Sequence, residues 1–78
     1  MLVKKFLGKE VIGSGGDKIG KIADLDFDVL SAKVKYAVIN AGLNKKYKIK
    51  LDDIVAVGDS VIIRLREDDL KKASQKGK

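Results

Sequence analysis

The chain has 78 residues, 45% of them hydrophobic and 36% charged, with 17 Lys and Arg against 11 Asp and Glu and no Cys, His, Pro or Trp. A domain of this length buries only about 60 to 65% of the surface its unfolded form exposes, so stability must come from a tight core and backbone pairing. The missing Cys and His exclude a disulfide staple and the usual transition-metal ligands, and the apolar content excludes wholesale disorder.

The amino-terminal run Met1–Gly8 is too short for a signal peptide, and no stretch approaches the ~18 apolar residues that cross a bilayer. The expectation is a soluble, cytoplasmic protein. A charge-rich surface without Cys or His is also compatible with a thermophilic source. The net charge of +6 is unevenly placed: the last eight residues hold four lysines and no acid, which leaves residues 1–70 at only +2. The expected organisation is one domain over 1–70 and a basic, disordered tail over 71–78.

In chain order, Leu2–Phe6 is expected as a short first strand and Glu10–Ile12 as a second, with Gly8 between them. Gly13-Ser14-Gly15-Gly16-Asp17 makes a turn of residues that tolerate positive φ. It leads into Lys18–Asp28, where Ala-Asp-Leu-Asp-Phe-Asp-Val over 23–29 alternates strictly and puts its carboxylates on one wet face. Ile19 and Ile22 are three apart, so a bulge is expected near Gly20. Val34–Asn40 should return antiparallel, with Val29 opposite Val34, Phe27 opposite Tyr36, Leu25 opposite Val38, and Asp28 paired with Lys35. That register turns Tyr36 and Val38 inward and Ile39 outward.

Ala41–Asn44 supplies the next turn, and Tyr47, Ile49 and Leu51 alternate with Lys46, Lys48 and Lys50 in a further half-buried strand. Leu51–Ile54 suits a single helical corner. Val55–Val57 resumes extended structure, Gly58–Ser60 turns tightly, and Val61–Arg66 forms a last strand with Val61, Ile63 and Leu65 inward and Ile62 outward. One turn of helix is expected over Glu67–Lys72. Short strands at this spacing predict an all-β fold, a small curled antiparallel sheet closing into a barrel.

Four segments are similar to the PRC-barrel family: Glu10–Gly13, Gly16–Asp24, Val34–Ile39 and Ile54–Ile63. The Gly-x-x-x-Gly-Lys-Ile-x-Asp run followed at a distance by Val-Gly-Asp-x-Val carries the resemblance, which spans about residues 3–66. It implies a PRC-barrel-like β-barrel of the small stand-alone archaeal type. The family's shared positions are structural, so the implied role is that of an adaptor. Its members are associated with protein assembly, ribosome maturation, electron-transfer complexes and, for short archaeal forms, cell division.

The chemical motifs are sparse. Gly13–Lys18 resembles a phosphate-cradling loop, but a strand follows where such a loop needs a helix N-terminus. Asp24, Asp26 and Asp28 lie about 6 to 7 Å apart along a strand, too far to ligate one ion together. Ser14, Ser31, Ser60 and Ser74 have no evident base, so no enzyme, catalytic residue, metal or cofactor is expected.

Two surfaces remain. Ile39, Leu43 and Ile62, out of phase with the core pattern, are the candidate protein-binding residues of an interaction module, with a protein partner or a second copy of the chain as occupant. Lys45, Lys46, Lys48 and Lys50 form a basic ridge, the candidate nucleic-acid surface of an alternative ribosome- or RNA-associated factor. Its one aromatic, Tyr47, is turned inward by the alternation.

Overall fold

A computed structural model describes residues 1–76. The elements are α1 (Val3–Phe6), β1 (Glu10–Ile12), β2 (Lys18–Asp28), β3 (Lys33–Gly42), β4 (Lys45–Lys50), a 3-10 turn (Leu51–Asp53), β5 (Ile54–Val57), β6 (Ser60–Ile63) and α2 (Glu67–Lys76). The strands form one sheet in the order β4-β3-β2-β1-β6-β5. The fold is thus mostly β, as expected, but the sheet is not closed: β4 and β5 remain its two edges. Nor is it wholly antiparallel, because β1 and β6 pair parallel.

The core lies inside the curl. Val11, Ile19, Ile22, Ala37, Ile39, Tyr47, Ile49, Val61 and Ile63 meet there, joined by Phe6 of α1 and Leu70 of α2. Burial of branched side chains at about 25 cal/mol per Å² is the main stabilising term. β5 adds no buried residue, since Ile54 is half-buried and Val55, Ala56 and Val57 are exposed.

Several expectations need correction. Residues expected as a first strand are instead a single helical turn, whose bonds Phe6 N–H to Leu2 O and Leu7 N–H to Val3 O satisfy the backbone locally. These bonds within the turn replace the ladder bonds that a strand would need from a neighbour. The β2–β3 register is also shifted by about one residue from the expected one. Leu25 stands opposite Ala37, Asp26 opposite Tyr36 and Phe27 opposite Val34, with irregularities at Ile22/Asp24 and Asp26/Phe27. A one-residue slip turns every side chain of a strand over, so Ala37 and Ile39 point inward while Tyr36 and Val38 point outward. The expected Asp28–Lys35 ion pair forms nonetheless, at 3.2 Å, although Asp28 stands opposite Lys33.

The bulge expected near Gly20 is present: Val11 stands opposite Gly20 and Ile12 opposite Lys18, which leaves Ile19 as the extra residue. The last strand stops at Ile63 rather than Arg66, and Leu65 is half-buried. α2 is longer than the single expected turn and carries helical backbone to Lys76, so most of the segment expected as a disordered tail is helix. The remaining tail residues, 77–78, lie outside the described residues. The Arg66 N–H donates to Asp69 Oδ2 at 3.0 Å, capping the start of α2, and three acidic residues in its first turn suit the positive end of the helix dipole.

Candidate functional site

Directly opposed residues of neighbouring strands share a face. On the outer face of β2–β3–β4, Asp24 is opposite Val38 and Asp26 opposite Tyr36, while Val38 is opposite Lys48, Tyr36 opposite Lys50 and Asn40 opposite Lys46. Three parallel rows result: carboxylates on β2, the half-buried Tyr36 and Val38 on β3, and lysines on β4. Lys48 Nζ crosses the middle row to Asp26 Oδ2 at 2.9 Å and lies 4.8 Å from the centre of the Tyr36 ring. The hydrogen bond and charge of Asp26 raise the Lys48 pKa. At the far end, the Ser31 hydroxyl donates to Asp28 Oδ2 at 3.0 Å. That bond, with Lys35 next, holds the Asp28 carboxyl below its ordinary range.

The candidate nucleic-acid residues Lys45, Lys46, Lys48 and Lys50 are all exposed on β4, and Tyr47 among them is buried at 4% exposure. The aromatic ring on the lysine face is Tyr36, which the shifted register delivers and the sequence pattern hid. The same register sets the aspartates two strands away on one face. The ridge is therefore one pole of a bipolar surface rather than an uninterrupted basic patch.

The candidate protein-binding residues do not form a common surface. Ile39 is fully buried, because β3 faces the other way from the expected register. Ile62 is half-buried, and Leu43 is 96% exposed in the β3–β4 turn. Leu43 instead borders a shallow depression with Lys18, Lys21, Asn40 and Ala41.

Apolar exposure concentrates elsewhere, at a seam between α1, the β2–β3 pair and the 3-10 turn that joins the edge strands β4 and β5. A depression of about 320 Å³ is lined by Met1, Leu2, Val3, Phe6, Leu25, Val34, Leu51 and Ile54, with no charged side chain among them. Met1 (80% exposed), Leu2 (60%) and Val3 (56%) stand at its mouth, and Phe27 (53%) lies beside Val34. Lys4 and Lys5, both exposed on α1, give the mouth a basic rim. The seam went unforeseen because a closed barrel and an amino-terminal strand were expected. The visible signal was the apolar triplet Met1-Leu2-Val3 without an alternating partner.

The Gly13–Asp17 loop uses its amides internally. Gly13 N–H donates to Asp17 O, Ser14 N–H to Leu65 O and Gly16 N–H to Gly13 O, and β2 follows as a strand. These amides are not aimed at an anion. On the other side of the core, Tyr47 Oη donates to Glu67 Oε2 at 3.4 Å, tying α2 to β4. Burial first, then the Glu67 charge, raises the Tyr47 pKa. Among the described residues no helix is long and apolar enough to cross a membrane.

No curated relative matches the chain. The family model of the PRC-barrel domain matches residues 1–70, covering every strand and the start of α2. The open six-stranded sheet with its glycine-rich β1–β2 turn is therefore this chain's version of that domain, and the chain belongs to the PRC-barrel family.

Proposed function

We propose that this chain is a non-catalytic interaction module, an adaptor in complex assembly that takes a protein partner at the open seam. The observation that carries it is the uncharged depression between α1, the β2–β3 pair and the 3-10 turn, with Met1, Leu2, Val3 and Phe27 exposed around it. Clustered exposed apolar side chains mark contact surfaces, and burial of such a cluster inside a polar rim is the usual anatomy of a protein interface. The Lys4–Lys5 rim selects the partner's chemistry: an apolar projection flanked by carboxylates, with charge setting approach and orientation. Among assemblies associated with this family, archaeal cell division is the one its short members suggest.

The ribosome- or RNA-associated alternative draws support from Tyr36 within reach of the lysines. Asp24 and Asp26 on the same face oppose it, since they repel the phosphates that the lysines attract. The test is capture of partners from native extract with and without nuclease, by the parent chain and by Leu2→Asp/Val3→Asp and Phe27→Asp variants whose fold is verified by circular dichroism. The interaction module predicts capture that survives nuclease and is lost in both variants. Capture abolished by nuclease, or unchanged in both folded variants, refutes it.

A further inference from the structure

The three rows on the outer face of β2–β3–β4 are arranged so that a second copy can satisfy them, and we propose that the chain self-associates through this face. The inference deepens the interaction-module reading and rests on it, but it uses the surface opposite in character to the seam. Turning a second copy over about a two-fold axis parallel to β3 keeps positions along the strand and exchanges the outer rows. Asp24, level with Val38 and Lys48, then faces Lys48 of the second copy. Asp26, level with Tyr36 and Lys50, faces Lys50 of the second copy. Tyr36 and Val38 meet their own counterparts in the middle. A two-fold axis perpendicular to the strands would instead set aspartate on aspartate and lysine on lysine, so charge selects one of the two orientations.

The contact is isologous, as in most symmetric pairs. Stacked sheets sit about 10 Å apart, within reach of lysine and aspartate side chains extended from each face. Among the described residues Asp24 and Lys50 form no salt bridge, so each pole carries a charge that the second copy can pair. Lys21, opposite Asn40 at the end of the β2 row, faces Lys46 of the second copy and sets a like-charge limit at the rim. The one face of three strands makes a contact at the small end of specific interfaces, so the pair is weak and dependent on salt.

The experiment is sedimentation analysis of the full chain and of two variants, D24K/D26K and K48E/K50E, each checked for fold by circular dichroism. The parent chain is expected to dimerise at low salt and to lose about tenfold or more in affinity at 0.5 M salt. Each variant gives the Asp24–Lys48 and Asp26–Lys50 contacts a single sign and is expected to remain monomeric alone, while an equimolar mixture restores a dimer of one copy of each. A parent chain that stays monomeric at low salt up to about millimolar concentration overturns the proposal. Equal dimerisation of parent and both variants overturns it as well. Either failure leaves the seam untouched, because nuclease-resistant capture and its loss in Leu2→Asp/Val3→Asp are read independently of self-association.

Discussion

Replacing Gly20 with Ala tests how closely β2 and β3 approach beside the bulge. A Cβ at this position would lie 2.9 Å from Ala41 Cα and 2.9 Å from the Asn40 carbonyl carbon, and closer still to the Asn40 carbonyl oxygen. Non-bonded carbons prefer about 3.5 to 4.0 Å, so the two strands must separate by roughly 0.6 to 1.1 Å. The obstacle is backbone, which cannot rotate away as a side chain would. Overpacking costs about 1 to 3 kcal/mol and occasionally more, and an obstacle of backbone places Gly20→Ala near the top, at about 3 kcal/mol. A 78-residue chain has a total stability of roughly 4 to 12 kcal/mol. With a urea m-value of about 1 kcal/mol/M, the unfolding midpoint should fall by about 3 M. Gly58, whose added Cβ would meet nothing within 4 Å, is the control: Gly58→Ala should change stability by no more than about 0.5 kcal/mol. A Gly20→Ala midpoint within about 0.5 M of the parent would refute the close-approach argument.

Ile39→Ala should destabilise by about 2 to 5 kcal/mol in urea unfolding, whereas Leu43→Ala should stay within about 0.5 kcal/mol; equal effects would mean that β3 faces the other way. Ala32 holds φ at 58° in the β2–β3 turn, and relieving this left-handed conformation with Ala32→Gly should stabilise by up to about 1 kcal/mol. Because the folded Asp28 pKa lies below its ordinary value of 3.8, its stabilisation is present above that value and is lost as pH falls through the lower folded pKa. Ser31→Ala should therefore move the Asp28 carboxyl resonance titration upward, and an unmoved titration would remove Ser31 as the main cause. The Tyr47 pKa is raised above 10.0, so its contribution is present below that value and disappears as alkaline pH passes the folded pKa. In an ultraviolet titration, Glu67→Gln should bring this phenol back toward its ordinary value.

Much of the strand layout is legible in the residues, because period-two alternation and turn chemistry are local properties. The Lys18–Asp28 strand, the Gly13–Asp17 and Gly58–Ser60 turns and the Leu51–Asp53 corner all read directly, but the strict alternation over Ala23–Val29 does not survive the irregularities within β2 and leaves Phe27 and Val29 exposed. Register does not, because it depends on where irregularities fall between strands. One misplaced residue between β2 and β3 exchanged Ile39 for Tyr36 and Val38, and with them the buried and exposed faces. The parallel β1–β6 pair and the unclosed edges are equally nonlocal: nothing in Glu10–Ile12 names Ser60–Ile63 as its neighbour. The lysine ridge was visible as a pattern, but its pairing with the Asp24–Asp28 row needed the three-dimensional register. The seam is hidden for a related reason, since it is built from residues far apart in the chain, Met1–Phe6 against Leu25, Val34, Leu51 and Ile54.

Amide hydrogen exchange of the chain, free and bound to the protein it captures, tests partner docking at the seam most directly. Binding should slow exchange in α1 and around Leu25, Phe27, Val34 and Ile54 while leaving the Lys45–Lys50 strand unchanged. Protection confined to Lys45–Lys50, with α1 exchanging as fast as in the free chain, would contradict it.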